Sequence, residues 1–478
     1  MPFPSRLAAR HRLLLSSAAL LLSACNSLQA QTPGTGMTPT DNATLQRALS
    51  AYDAGDFTQA EPLLRALATR YRSSFDANEA LGSLYAEKGD LAAALPFLER
   101  ATTLAPRRAI AHANLGAALL KQNHLPHAVI ELQTAAQLDP QDQQTQSNLG
   151  HALFQADQPA AAARAFSAAR LLSTSDPELA AELIYDEALA DYQAGEFPQA
   201  ALLLGTLAPD SMTAADQSLA ADTDEKLAHY KDALLHYQAA AHLEPSAANL
   251  YALAVELLRH WTWDEALKVA AYGEQRYPQD QRFPFAQGVA LYADGKYTPA
   301  VAIFSSLLAQ YPENETYAAL LGRSCNAIDT SGADADANHC AALQTFAESH
   351  PHNAEVATYA AKRILEQPAG EQNSAEADRL LHQAIAADPQ LAQAWFQLGV
   401  LAQQQQKWQQ STVALEKAVA LAPSDPEAHY RLSRAYSHLG RKDEAQQQMQ
   451  LHQQDADEQK TALNARLQDV VTFLLKAK

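Results

Sequence analysis

Small residues and prolines return along this chain every 34 residues. Gly82, Gly116 and Gly150 keep that interval, as do Ala94, Ala128 and Ala162, then Ala101, Ala135 and Ala169, and the pair Pro106 and Pro140. That interval is the length of one helix–turn–helix unit, which cannot bury its apolar face alone and must stack on a copy of itself. The period therefore argues against a single-core architecture. A chain of 478 residues would otherwise hold about three ordinary domains. In an array each unit touches only its neighbours, and the core is a continuous ribbon. Composition agrees with helix throughout: Ala, Leu and Gln dominate, aromatics make up 7% and glycines number 17, a bias toward strong helix formers.

Residues 392–425 open with Trp395, Leu398 and Gly399 and continue with Trp408, Leu415, Ala418 and Pro423. Residues 75–108 give Leu81, Gly82, Tyr85, Gly89, Ala94, Leu98, Ala101 and Pro106. Residues 281–314 give Gly288, Leu291, Gly295, Tyr297, Ala300, Phe304, Leu307 and Pro312. The pattern resembles the tetratricopeptide repeat, W-x2-L-G-x2-Y followed by A-x3-F and P. Laid over the chain, this frame yields twelve units beginning near residues 41, 75, 109, 143, 181, 214, 247, 281, 315, 353, 392 and 426. Their eighth positions read Ala48, Gly82, Gly116, Gly150, Ala188, Ala221, Ala254, Gly288, Gly322, Ala360, Gly399 and Ser433, every one small. Two helices cross closely only where a side chain is absent or tiny. The proline near position 32 ends the second helix, because it lacks the N–H and restricts its predecessor. The resemblance implies an all-α fold: a right-handed α-solenoid of about twelve such units with a C-terminal capping helix.

Departures from the frame suggest boundaries. An N-terminal array over 41–204 and a C-terminal array over 225–459 flank a weak unit or bend at 205–224. There Gly205, Pro209 and Asp210 interrupt the fifth unit, and the sixth unit's first helix, Ala214 to Asp224, reads as short and polar. Unit nine carries an inserted loop, Asp329 to Asn338, and unit ten another around Pro368, Ala369 and Gly370. Ala456 to Lys478 reads as one helix with Leu463, Leu467, Val470, Val471 and Leu474 on one side. Residues 460–478 suit the amphipathic cap that closes a solenoid end.

The first residues read as an address. Arg6, Arg10 and Arg12 precede a short apolar run, Leu13 to Leu22, below the ~20 residues of a permanent span. This is the make-up of a signal peptide, placed at residues 1–24. Leu22-Ser23-Ala24-Cys25 resembles the bacterial lipobox, in which small residues precede a cysteine that becomes lipidated. The resemblance implies a membrane anchor through lipid on Cys25, in a bacterial cell envelope and facing the periplasm; Asn26 after it favours the outer membrane. The alternative is a secreted or soluble periplasmic protein, cleaved after Ala30. Residues 25–40, with Pro33, Gly34, Gly36 and Pro39, form a flexible tether. Without the three arginines, 32 basic residues stand against 54 acidic ones, a net charge of −22. Such a surface repels nucleic-acid phosphate and anionic lipid, so no nucleic-acid partner is expected.

The chain contains no H-E-x-x-H, G-x-S-x-G or G-x-x-x-x-G-K-[ST]. No catalytic residue, cofactor or metal is expected. His124, His127, His350 and His352 flank turns and read as solvated. With Cys25 lipidated, Cys325 and Cys340 remain, flanking the inserted loop of unit nine in an exported chain. A disulfide between them is the expected state; two unpaired buried thiols, or a metal site with His339, are the alternatives. The loop's Asp334-Ala335-Asp336-Ala337-Asn338 falls short of a calcium loop, since His339 stands where Gly is needed and Thr345 where Glu is.

In a solenoid of this kind the first helix of each unit lines the concave groove. Asn114 and Asn148 stand at the same place in adjacent units, two residues before the small eighth position. In related proteins such asparagines bond the backbone of an extended peptide. The Lys and Arg clamp that holds a peptide's terminal carboxylate in some relatives is absent. Tyr251, Phe285, Tyr292, Phe396 and Tyr430 project from first helices, where aromatics serve as interface anchors or as packing between units. Trp261, beside Trp263, occupies the turn position that usually holds glycine. The expected function is a non-enzymatic scaffold that holds partner proteins or extended peptides in this groove. By resemblance, exported arrays of this sort assist pilus, secretion or outer-membrane assembly. The rival reading is a glycan- or peptidoglycan-binding module built on the groove aromatics.

Overall fold

The computed structural model describes residues 37–173, 176–328, 340–367 and 371–476, with backbone alone for 371 and 460–476. The signal peptide, Cys25, most of the tether, the loop Asp329 to Asn338 with His339, and Pro368 to Gly370 lie outside the described residues. Among those described, twenty-four helices fall into twelve consecutive pairs, and there is no strand. The chain is an all-α solenoid of repeats. In repeat 2, helix A is Phe75–Glu87 and helix B is Leu91–Leu104; in repeat 4 they are Gln143–Gln155 and Pro159–Leu172. The contacts group into two compact bodies, Met1–Asn249 and Leu250–Lys478. One apolar core in the first body runs from Leu45 to Ala220. In the second, the main core runs from Leu291 to Leu401, and another gathers Phe396, Leu415, Leu432 and Tyr436.

The eighth position is small because helix B of the same repeat lies against it. A Cβ added to Gly82 would meet Leu98 at 2.7 Å, one on Gly116 would meet Leu132 at 2.6 Å, and one on Gly399 would meet Leu415 at 2.5 Å. Gly150 and Gly288 face Phe166 and Phe304 in the same way, at 2.6 and 2.7 Å. In each case the partner stands sixteen residues later. Gly322 differs: its neighbour is Tyr359 of the next repeat, at 2.3 Å.

The turn between helices A and B has one conformation in ten repeats. Its fifteenth residue is left-handed, with φ between +58° and +84°. Five of these residues are glycines (55, 89, 195, 295 and 440); the others are Asn123, Asp157, Ala228, Trp261 and Gln406. A side chain there costs about 1–2 kcal/mol for most L-residues, and tertiary packing overrides that preference. Asp56 and Asp90 then accept a hydrogen bond from the third backbone N–H of the following helix, at 3.0 and 3.1 Å, which caps helix B.

Successive repeats are joined by a hydrogen bond from the fourth residue of helix A to the carbonyl six residues earlier. Asn78 donates to Arg72 at 3.2 Å, His112 Nε2 to Pro106 at 3.1 Å and Gln146 to Pro140 at 3.5 Å. Trp395 Nε1 donates to Pro389 and His429 Nε2 to Pro423, both at 3.0 Å. The motif tryptophan is thus one of several donors able to meet a main-chain acceptor left open where proline ends helix B.

Repeats 5, 6 and 12 differ from the sequence expectation. Helix A of repeat 5 is long, Pro177–Ala194, and its helix B is only Phe197–Leu204, followed by the 3-10 turn Pro209–Ser211. The weakness near residue 205 therefore lies in that shortened helix B. Helix A of repeat 6 is of ordinary length, Ala214–Lys226, buries Leu219, Ala220 and Ala221, and starts with a capping box between Thr213 and Asp216. Its polar residues misled because several of them lie on a buried side, Thr223 donating to the Leu219 carbonyl at 2.7 Å. At the C-terminus, the segment expected to cap the array is no separate helix. It continues helix B of repeat 12 in a single helix, Lys442–Lys476.

Candidate partner-binding groove

The A helices of each body supply the candidate surface. In the first body, Asn114 is 2% exposed and Asn148 is 3% exposed. The Asn114 amide donates to the Glu79 carboxylate and to Ser83 Oγ, the latter at 3.1 Å, while Ser83 Oγ itself donates to Glu79 at 3.0 Å. This network joins the A helices of repeats 2 and 3. The Asn148 amide oxygen accepts from Gln144 at 3.2 Å, one turn back along its own helix. The two asparagines share a position and not a role. Glu79 went unnoticed in the sequence, where a carboxylate four residues before a serine reads as solvated surface.

Repeat 5 brings carboxylates together, Glu187 and Asp191 on its helix A and Glu196 at the N-cap of its helix B. Burial first, then the nearby Glu187 and Glu196, push the Asp191 carboxyl up to about 6. Glu187 also holds Arg170, at 2.6 Å. A carboxyl whose folded value is raised stabilises the fold below its unfolded value near 3.8, and that stability is lost as pH rises through about 6. Asp191→Asn should therefore raise stability at neutral pH and leave it nearly unchanged at pH 4. The gain is on the order of 1 kcal/mol, because solvent screens a half-buried carboxyl. Thermal melts at the two pH values check this; an equal shift at both would remove the electrostatic cause.

In the second body most of the singled-out aromatics have aromatic neighbours. Tyr251 meets Phe283 edge-on with centroids 6.3 Å apart and lies under the Arg282 guanidinium at 5.1 Å. Phe285 lies 6.4 Å from Phe304 and 5.6 Å from Tyr317. Tyr292 pairs with Tyr297 at 5.6 Å, and Tyr430 with His452 at 5.4 Å. Trp261 is 56% exposed and stacks on Trp263 at 6.0 Å. Phe396 is buried with Leu415, Leu432 and Tyr436 in an apolar core and also borders a cleft.

That cleft, of about 510 Å3, lies among the A helices of repeats 10, 11 and 12 (Ala354–Leu365, Ala392–Gln404 and Pro426–His438). Phe396, Val400 and Leu365 give it an apolar floor, and Gln393, Gln397 and Gln404 line it with amides. Four of its five charged residues are paired, Arg431 with Glu427 at 2.8 Å and Lys362 with Glu366 at 3.8 Å, while Asp425 caps the helix that follows it. Gln404 donates to the Leu365 carbonyl at 3.3 Å. The sequence reading named Phe396 and missed the glutamines. Gln397 does occupy the sixth position of its repeat, the place held by Asn114 and Asn148.

Cys325, in helix A of repeat 9, and Cys340, just before helix B (Ala342–Ser349), are joined by a disulfide with Cα atoms 6.1 Å apart. No helix among the described residues is long and apolar enough to cross a membrane.

Helix pairs that cross at a small residue and stack through a repeated boundary bond define a solenoid of helix–turn–helix repeats. Family models for the tetratricopeptide repeat match residues 45–109, 251–315 and 402–467. The chain is a tetratricopeptide repeat protein, and its repeats make it a protein–protein interaction scaffold. No curated protein matches it. Solved structures similar to it include Naa15/Naa10 bound to HypK-THB, at 14% identity over 86% of this chain and 68% of that one, TM-score 0.40. Pseudomonas aeruginosa pilF is 23% identical over 44% of this chain and 94% of its own, TM-score 0.36. A tetratricopeptide repeat protein from Parabacteroides merdae is 14% identical over 53% and 100%, TM-score 0.36.

Proposed function

We propose that the chain is a non-enzymatic scaffold of the bacterial cell envelope, anchored by lipid on Cys25, whose A-helix grooves hold partner proteins while an envelope machine is assembled. The observation that carries the binding half is the cleft of repeats 10 to 12, an apolar floor under amide walls with four of its five ionic groups paired. Convergent polar groups over an apolar base are the usual make-up of a recognition site. The anchoring half rests on Leu22-Ser23-Ala24-Cys25 after a basic and an apolar segment. The glycan alternative has less support, since Phe285 and Tyr292 pack against neighbouring rings.

Fractionation and co-purification test the two halves separately. Cys25→Ser should move the protein from the membrane fraction to the soluble one, and continued membrane retention would remove the anchor. Chemical cross-linking in intact cells, followed by purification from solubilised envelopes, should recover protein partners. Recovery of glycan without protein would sink the scaffold reading.

A further inference from the structure

The B helices of repeats 3, 4 and 5 (Leu125–Leu138, Pro159–Leu172 and Phe197–Leu204) expose a surface unlike that of their neighbours. Ile130, Leu138, Leu171 and Leu202 are between 41% and 75% exposed there. Ile130 and Leu202 hold the twenty-second place of their repeats, and Leu138 lies two turns beyond Ile130, about 12 Å along the helix. Arg164 takes the twenty-second place of repeat 4, and it is the one exposed Asp, Glu, Lys or Arg on the three helices. Glu131 and Arg170 are partly buried and held by His112 and Glu187, each at 2.6 Å. Arg164 has no hydrogen bond or ion pair among the described residues. Charge returns on either side: helix B of repeat 2 exposes Glu99, and helix B of repeat 6 (Tyr230–Leu243) exposes Lys231 and Asp232.

Single exposed aliphatics are ordinary, but a group of them marks a contact surface. The chain has 54 acidic residues against 35 basic ones, yet these three consecutive B helices expose no carboxylate. Charged residues are depleted in the same way at the core of protein interfaces. The chemistry of the face selects among occupants. One cation gives no grip on nucleic-acid phosphate or anionic lipid. No aromatic ring is exposed on these helices to stack on a sugar or to sit at a membrane surface. A symmetric second copy would set its Arg164 against a face with no exposed carboxylate to receive it. Helix backs present ridges and grooves that fit another helix, and they leave no open main-chain edge for a strand. The complement is a helix whose apolar stripe includes one carboxylate.

We propose that this outer face of repeats 3 to 5 docks an amphipathic helix of a partner protein, with Ile130, Leu138, Leu171 and Leu202 receiving its aliphatic stripe and Arg164 pairing with an Asp or Glu set within that stripe. The surface lies on B helices, outside the A-helix grooves, so it gives the scaffold a second place to hold a partner. Arg suits the role, because its planar fork meets a carboxylate through two parallel hydrogen bonds.

The probe is a library of helical peptides displayed on phage, each randomised along one face and selected against the full chain in detergent. Selected helices should carry aliphatic residues at helical spacing with a carboxylate among them. Leu202→Asp should weaken their binding about tenfold, by placing a charge within the apolar contact. Arg164→Glu should also weaken it about tenfold, and exchanging the peptide's carboxylate for lysine should restore binding to that variant alone. Both positions are exposed, so melting curves should match the wild type. Val413→Asp, at an exposed aliphatic in the twenty-second place of repeat 11, should bind as the wild type does. Peptides selected without a carboxylate, unchanged binding by Leu202→Asp or Arg164→Glu, or no recovery on charge exchange would each overturn the assignment. So would phosphatidylcholine vesicles that retain the Cys25→Ser protein but not its Leu202→Asp form, or a dimer that Leu202→Asp dissociates, since either gives the face another occupant. Failure to select any helix would overturn it as well, and would leave the groove reading standing.

Discussion

Gly150→Ala should destabilise the fourth repeat by about 2 kcal/mol, although it adds a single methyl group. The new Cβ would lie 2.6 Å from two ring carbons of Phe166 and 2.9 Å from a third. Phe166 is among the largest fully buried side chains, so its ring cannot turn aside into solvent. The two helices must then separate, and an interior packed to crystal-like density loses contacts on both sides of the gap. A second change tests the cause. Phe166→Leu in the Gly150→Ala background should recover part of the loss, because repeats 1 and 5 already place a leucine sixteen residues after an eighth-position alanine, Leu64 after Ala48 and Leu204 after Ala188, with all four buried. A double-mutant cycle on chemical unfolding gives the coupling between the two sites. Additive effects would mean that the crossing is not where the strain arises. Gly89→Ala is the control. Nothing lies within 4 Å of its added Cβ, but φ is +83°, so its cost, about 1–2 kcal/mol, comes from the backbone.

Removing the disulfide by Cys325→Ser with Cys340→Ser should cost about 3 kcal/mol, the chain-entropy value for a loop of this size. The bonded residues are 15 apart and both are buried. The loss should be local, because each repeat in an array rests on its own interfaces. A single unfolding midpoint is a poor readout for such a chain. Amide exchange is the better measurement: protection should fall in Glu315–Ala327 and Ala342–Ser349 and hold in repeats 2 to 4. Wild-type protein kept in reductant should behave like the double variant. Identical exchange in all three samples would show that the bond contributes nothing.

The fold was legible because its main rule concerns side chains too small to be mistaken. Where two helices touch, only glycine, alanine or serine fits, and those letters recur at the eighth position regardless of what the rest of the repeat does. The turns were half legible. Gly89 and Gly295 mark the left-handed residue openly, whereas Ala228, Trp261 and Gln406 adopt the same φ with nothing in their identity to announce it. Repeat 6 looks short and polar in sequence, yet its first helix has the ordinary 13 residues and buries Asp216, Gln217 and Thr223, the last of which bonds back to its own helix. The groove was the least legible part. Asn114 bears the residue type associated with peptide binding, yet its amide is held by Glu79 and Ser83. Gln397 lines a cleft but sits in a chain so rich in glutamine that its sixth position does not stand out. Position along the repeat is written in the sequence; the neighbour that satisfies a polar group comes from another repeat and is not.

The hydrogen bond between successive repeats has an evolutionary consequence. Its acceptor is a peptide carbonyl, present whatever residue supplies it, so the joint demands only that the fourth residue of helix A offer an N–H of the right reach. Asparagine, glutamine, histidine and tryptophan all meet that demand at Asn78, Gln146, His112, His429 and Trp395. Such a joint is blind to the size and aromaticity of its donor. Repeats could therefore diverge at this position, drifting among four quite different side chains, without losing the register in which they stack.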